Sequence, residues 1–230
     1  MDGSKITDRG NEELDMENAK SFLTRIRKPD KNTPRQIQIL VSIGIALTGI
    51  AIGVFQKYLD SCAINELPVI LQRLDIGNYF GRFAIWILLG TVISIYAKTP
   101  IRAAINTFLF FICMVTGYYL YCNYVLGFLP RTYMMVWVIF SFVSPILALI
   151  CWYAKEDGIV AVLISACILG VIFSQAFLIT QGFYVTHLTE VITWLIGVII
   201  LIRKPKETVL ELALSLPIAF VYQLFIPYWG

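Results

Sequence analysis

The segment Trp86–Phe111, WILLGTVISIYAKTPIRAAINTFLFF, decides how this chain is built. One apolar run ends near Tyr96, a basic turn follows at Lys98, and a second apolar run begins after Pro100. An apolar helix of about 20 residues is long enough to cross the hydrocarbon core of a membrane. The segment therefore predicts two transmembrane helices that are joined by a tight turn at a basic membrane surface.

The same arrangement recurs in Ile146–Gly170 and in Trp194–Phe220. Each segment has an apolar run, a turn with a basic residue, and a second apolar run whose first turns carry small or polar residues. The tripeptide YAK is the exact match that two of the copies share. Duplication of a helical hairpin and convergence on the chemistry of membrane flanks both explain the similarity.

The composition places the whole chain in a membrane. Of its 230 residues, 58% are apolar and 14% are charged, whereas soluble domains carry about 25% charged residues. Apolar runs lie near residues 37–56, 83–97, 101–126, 133–153, 159–180, 191–202 and 209–228. The fold class that follows is an all-α polytopic transmembrane bundle of about seven spans, with one lone helix before three helical hairpins.

The charge pattern divides the chain and predicts its orientation. Residues 1–36 form a predicted cytoplasmic tail, and residues 37–230 form a single transmembrane domain. Lys and Arg are more frequent in the loops on the side of the N-terminus, which places the N-terminus in the cytoplasm and, with seven spans, the C-terminus outside the cell membrane. In the tail, either a short amphipathic helix on the membrane surface or a solvated basic flank fits the spacing of Met16, Ala19, Phe22, Leu23 and Ile26.

Several function classes lack support in the sequence. The net charge of +3 reflects membrane topology, and no soluble basic face is present for nucleic acid. The five cysteines have no metal-ligand spacing, and no phosphate-binding loop appears, so we predict no metal, no cofactor and no energy source within the chain. His187 and Glu190 are three residues apart, but a solvated loop pair is favoured over a metal site. We therefore do not expect an enzyme.

Small and polar residues follow helical faces in the predicted spans, where they should turn inward and let helices pack closely. These faces are Ser42–Ala46–Gly49–Gly53, Arg102–Asn106–Cys113–Gly117–Tyr121, Thr189–Thr193–Gly197 and Glu207–Glu211–Ser215–Tyr222. Between the first two spans, Glu66–Ile76 predicts a short helix at the membrane surface, started by Pro68. It is interpreted either as a lid over a cavity or as a loop on the lipid headgroups.

The candidate ligand site lies in Gly117–Trp137, GYYLYCNYVLGFLPRTYMMVW. Tyr and Trp gather at membrane surfaces because their rings are apolar and their tips are polar, so a membrane belt explains most of these rings. Tyr121 and Tyr124 share a helical face with Asn106, however. Together with Tyr133 and Trp137 they predict an outward-opening pocket for a small planar or apolar ligand.

One ion pair is also predicted. Arg102 and Glu211 each lie in the first turns of a helix that leaves the basic surface, at similar depth, and each belongs to a face that should turn inward. We expect them to pair as a structural clasp between helices. The alternative is that Glu211 extends to the lipid headgroups.

Two functions fit these features. The first is a small-molecule binding or transport component of a cell membrane, in contact with the lipid bilayer and driven by a protein partner or energising subunits if it transports actively. The second is a membrane interaction protein that acts in assembly, sensing or immunity. The compact bundle is similar in layout to the substrate-binding subunits of energy-coupling-factor vitamin transporters, which commonly have six helices; this similarity of layout transfers no residue.

Overall fold

A computed structural model describes residues 21, 24, 26–30, 32–63, 65, 67–180 and 182–226 of the chain. The structure is 79% helical, as the composition predicts. The amphipathic segment expected before Arg27 and the aromatic residues Tyr228 and Trp229 lie mostly or wholly outside the described residues. Described positions at the end of that segment, such as Thr24 and Ile26, are helical.

Nine helices and one strand pair make up the described part of the chain. The helices are α1 (Arg35–Ser61), α2 (Val69–Arg73), α3 (Ile76–Tyr79), α4 (Phe83–Ile95), α5 (Pro100–Tyr121), α6 (Arg131–Cys151), α7 (Ile159–Ala176), α8 (Leu188–Leu201) and α9 (Pro205–Phe225). A π-helical turn, Cys122–Leu126, extends α5, and a 3₁₀ turn, Trp152–Lys155, extends α6. Strands β1 (Phe177–Leu178) and β2 (Tyr184–Val185) pair antiparallel after α7.

Five of these helices are long and apolar enough to cross a membrane: α1, α5, α6, α7 and α9. The other two apolar helices, α4 and α8, have 13 and 14 residues. At a rise of 1.5 Å per residue each is only about 20 Å long, which is less than the roughly 30 Å of a hydrocarbon core. Each of the seven predicted runs therefore contains a helix, and five of these helices meet the length of a span.

Glycines let α1 and α5 pack with their backbones in contact. A Cβ atom on Gly53 would lie 2.0 Å from the carbonyl oxygen of Met114, and one on Gly117 would lie 2.3 Å from the carbonyl oxygen of Ile50. Both positions belong to the predicted small-residue faces. Close backbone approach of this kind is how membrane helices associate when lipid competes for apolar surface.

The remaining helices surround α7, of which most residues are buried. Helix α9 packs along α7, α8 contacts α7, and α6 packs on α5. The predicted inward faces of α8 and α9 are buried at Thr189, Thr193, Glu211 and Ser215. Three apolar clusters form the core of the described residues, one around Trp86 and Phe111, one around Leu169 and Ile172, and a smaller one around Trp152.

The two ends of the bundle differ in charge. We call the end with Lys98, Lys155 and Arg203 the basic end, and the end with Asp75 and Arg82 the far end. At the basic end, the Arg27 guanidinium lies 4.3 Å from the centre of the Trp152 ring, donates to the carbonyl oxygens of Trp152 and Ile95, and forms an ion pair with Glu156 at 3.2 Å. Arg27 is thus bound to the bundle, a contact that the sequence did not indicate.

Candidate functional site: an aromatic cavity at the far end

A cavity of about 1050 Å³ opens at the far end between α4, α6 and α9. Ligand pockets in proteins commonly measure about 300–1,000 Å³, so the space suits a small molecule. It is lined by Asp75, Asn78, Gly81, Arg82, Phe83, Ile87, Tyr133, Val136, Trp137, Phe140, Gln175, His187, Tyr222 and Ile226. The walls are mainly apolar and aromatic, and the polar residues gather where the α3–α4 loop meets the start of α8.

Helix α6 supplies the aromatic wall. Tyr133, Trp137 and Phe140 follow one another at intervals of four and three residues, which places their side chains on one face of the helix. The Trp137 ring stacks on Phe83 with 5.3 Å between ring centres and meets Tyr133 edge-on at 6.2 Å. Trp137 is 6% exposed, so these ring contacts hold the wall in place.

Arg82 organises the polar part of the cavity. Its side chain is 3% exposed and pairs with Asp75 through Nη2 and with Glu190 through Nη1, at 3.5 Å from Oε1. A buried charge requires such partners because leaving water is costly. Asp75 precedes α3, Arg82 precedes α4 and Glu190 lies in the first turn of α8, so this cluster joins three separate parts of the chain.

Asp75 is held in an unusual backbone conformation. Its φ is 49°, and no other non-glycine residue in the described part of the chain has a positive φ. Its Oδ1 accepts a hydrogen bond from Nδ2 of Asn78 at 2.8 Å, while Oδ2 faces Arg82. A residue in the left-handed region carries strain that the surroundings must stabilise, and such strain is frequent at binding sites.

His187 and Tyr79 flank this cluster. Burial and the positive charge of Arg82 lower the pKa of His187, and the opposing effect of Asp75 is smaller. The imidazole is therefore neutral near pH 7, with Nδ1 at 3.8 Å from Oδ2 of Asp75. The Tyr79 hydroxyl bonds to Oγ1 of Thr193 at 2.6 Å, and burial raises the pKa of Tyr79.

The structure divides the predicted ligand-binding residues. Tyr133 and Trp137 line the cavity. Asn106 lies away from it, because its Oδ1 accepts a hydrogen bond from Oγ of Ser42 at 2.7 Å and so links α5 to α1. Tyr121 and Tyr124 do not line the cavity, and Tyr124 is 79% exposed.

The π-helical turn explains why Tyr124 departs from the predicted tyrosine face. The prediction assumed 3.6 residues per turn through Tyr124, whereas Cys122–Leu126 forms a wider turn that rotates the residues after Tyr121. Tyr118, which is not on the predicted face of Tyr121 and Tyr124, is 7% exposed and packs in the core, with Nζ of Lys57 at 5.3 Å from its ring centre. The buried tyrosine of this segment is therefore Tyr118.

The predicted pair of Arg102 and Glu211 does not form among the described residues. Arg102 lies in a groove between α1, α4 and α5, with Thr33 and Gln38 nearby. Glu211 is fully buried on α9 against α7, and the cations that act on it are Arg203 and Lys155. Similar depth was not enough to predict contact, because α5 packs mainly on α1 and α6 whereas α9 packs on α7.

The sequence interpretation missed the residues that organise the cavity. The sequence indicated no role for Asp75 or Arg82, and it favoured a solvated loop pair of Glu190 with His187. Glu190 is in fact fully buried and binds Arg82 instead. The positions of Arg82 and Glu190 in the sequence could have indicated their role. Each lies at the start of an apolar helix, where a charge has little access to water.

No metal centre is evident in the part of the chain that the structure describes, where no three His, Cys, Asp or Glu side chains lie close enough together to hold an ion. The five cysteines are all free. Gln223 connects helices instead of facing a ligand: its Nε2 donates to the carbonyl oxygens of Ser174 and Phe177, at 2.9 and 2.6 Å.

Comparisons with known proteins add no family. No family model, no curated protein and no solved structure matches this chain. The long apolar helices indicate a membrane protein. Its function has to be argued from the cavity and the buried charges.

Proposed function

We propose that this protein binds a small molecule with a planar or apolar body in the far-end cavity, as a binding or transport component of a cell membrane. The observation that carries the proposal is the cavity itself, about 1050 Å³ between ring-bearing helix faces and a buried charge cluster. A bundle that served only as an interaction partner would be expected to have a filled interior with shallow grooves. The cavity favours the binding function over that alternative.

The lining defines the chemistry of the ligand. Phe83, Trp137 and Phe140 offer ring faces and edges to an apolar body. At the polar end, Asn78 and His187 are the groups that can exchange hydrogen bonds, because Arg82 is already bound by Asp75 and Glu190. We therefore expect a ligand with an apolar body and one hydrogen-bonding end.

Binding is favoured over catalysis. The lining side chains in the described structure include no serine, threonine or cysteine, so His187 and Asp75 have no nucleophile beside them. Transport driven by ATP would require a protein partner, since the sequence has no phosphate-binding loop. The short segment with α2 and α3 borders the opening through Asp75 and Asn78, as expected of a lid.

Binding is tested with quinoline, a planar molecule with one hydrogen-bond acceptor, and protein in lipid nanodiscs. We expect quinoline to raise the unfolding temperature of the wild type and to raise that of Trp137→Leu much less, because the wall would lack its central ring. Tyr124→Leu is the matched control, since Tyr124 is an exposed ring outside the cavity. Equal shifts in all three proteins, or none in the wild type, would contradict the proposal.

The proposed orientation places the far end outside the cell and the N-terminus in the cytoplasm. It follows from the excess of Lys and Arg at the basic end. Tags at residue 1 and after Gly230, probed in intact cells with an impermeant reagent, should be accessible only at the C-terminus. Protection of both tags would show that α9 does not end outside.

A further inference from the structure

A second buried charge cluster lies at the basic end and takes no part in the cavity. Its centre is Glu211 on α9, whose side chain is fully buried. Neither carboxylate oxygen of Glu211 has a hydrogen-bond partner in the part of the chain that the structure describes. A carboxylate that is buried and unbonded needs a compensating positive charge or a proton.

The two nearby cations make their hydrogen bonds to groups other than Glu211. Nη2 of Arg203 donates to the carbonyl oxygens of Ala154 and Ala161 and to Oγ of Ser165, whereas its Nε and Nη1 are buried without a partner among the described residues. Nζ of Lys155 donates to the carbonyl oxygen of Ile200. The ion pairs within 4.0 Å among the described residues include no contact of Glu211 with either cation.

Other elements around Glu211 supply no further charge. Helices α4 and α7 contain no Asp, Glu, Lys, Arg or His, and the only ionisable residue of that kind on α8 is Glu190 at the far end. The groups that act on Glu211 are thus Arg203, Lys155 and Glu207. Glu207 adds a negative charge, which disfavours a second carboxylate beside it.

Glu207 provides a route from the surface to Glu211. It precedes Glu211 by four residues, so the two side chains share one face of α9 at a rise of about 6 Å. Its Oε2 is also buried and lacks a hydrogen-bond partner among the described residues, while the residue as a whole is partly exposed. Lys204 and Asp157, which pair at 2.8 Å, mark the exposed surface one turn further out.

We propose that Glu211 is a proton-binding site that is reached from the basic end through Glu207. The ligand of this site is a single proton, which makes the Glu211 side chain a neutral acid inside the bundle. Proton binding at Glu211 does not depend on the proposed ligand of the far-end cavity.

Infrared spectroscopy of the purified full chain tests the proposal, in a detergent without carboxyl or ester groups. At neutral pH we expect a carbonyl stretch of a protonated carboxyl that shifts in D₂O. Glu211→Gln should lose the intensity of one such carboxyl, whereas Glu190→Gln, which changes the other fully buried glutamate, should retain it. A wild type without the band, or a Glu211→Gln protein that keeps it in full, would overturn the proposal.

A second measurement uses only the wild type, in case Glu211→Gln does not fold. Dicyclohexylcarbodiimide reacts with protonated carboxyl groups in apolar surroundings, and peptide mass spectrometry locates the product. We expect modification at Glu211 that decreases as the medium is made more alkaline. Modification confined to Glu207, or absent from both residues, would overturn the assignment to Glu211.

Discussion

Each end of the bundle has an arginine beside two carboxylates, with Lys155 as a further cation at the basic end, and the two arginines differ in the groups that they contact. At the far end, Arg82 contacts both Asp75 and Glu190 directly. At the basic end, Arg203 donates to backbone carbonyl oxygens and to Ser165 and leaves Glu207 and Glu211 without direct contact. An arginine beside two carboxylates therefore forms direct ion pairs at one end of the bundle and none at the other among the described residues.

The helix ends explain this difference. Carbonyl oxygens in the last turn of a helix have no partner within the helix and attract donors. Arg203 follows α8 and lies beside the end of α6, where the carbonyl of Ala154 is available. Arg82 precedes α4 and faces the first turn of α8, where the free backbone groups are N–H donors and carboxylates are the suitable partners.

The largest expected effect is that of Arg82→Gln. Two carboxylates would stay buried at the far end without their cation, and breaking a buried ion pair costs about 3–5 kcal/mol. We expect the free energy of unfolding to fall by that amount in denaturant titrations. Arg73→Gln, the same change at the end of α2 in a residue without a described ion pair, is the control and should have little effect. A small loss in Arg82→Gln would show that the far-end cluster is not held by its charges.

A smaller effect is expected for Arg203→Gln at the basic end. The carbonyl oxygens of Ala154 and Ala161 would lose a charged donor, and each buried unsatisfied group costs about 1–3 kcal/mol. Arg203→Lys should recover part of the loss because lysine can still donate. A loss as large as that of Arg82→Gln would indicate that Arg203 neutralises Glu211 directly, and the contrast between the two ends would disappear.

The smallest expected effect is the loss of folding stability in acid that His187 causes. Its pKa is lowered in the folded protein, so the unfolded chain binds the proton first as the pH falls below the ordinary histidine pKa near 6.5. Folding stability should therefore decrease between about pH 7 and about pH 5.5 in the wild type, and less so in His187→Asn. Thermal unfolding at the two pH values measures the difference. An equal pH dependence of stability in both proteins would show that His187 does not interact with the far-end cluster.

The sequence predicted the helices well because hydropathy and small-residue spacing are local properties. The face with Ser42, Gly49 and Gly53 is buried as expected, and the turn at Lys98 joins two helices as expected. The helix lengths were predicted less well, since α4 and α8 are shorter than a full span.

The cavity was predicted only at Tyr133 and Trp137 because its other parts depend on which helices become neighbours. Arg82 and Glu190 are separated by 108 residues, and no periodic pattern connects them. The π-helical turn after Tyr121 likewise shifts a face that regular spacing would continue. The predicted pair of Arg102 and Glu211 does not form because similar depth in the membrane does not specify which helices are adjacent.

The most direct test compares Glu190→Gln with Glu211→Gln, two equal changes at two fully buried carboxyl groups. The free energy of unfolding of both variants and the wild type is measured by denaturant titration at neutral pH. We predict a loss of about 3–5 kcal/mol for Glu190→Gln, because Arg82 loses a charged partner. Glu211→Gln should change it by about 1 kcal/mol or less, because a neutral amide replaces a neutral acid of the same shape. Equal losses in the two variants would contradict the account.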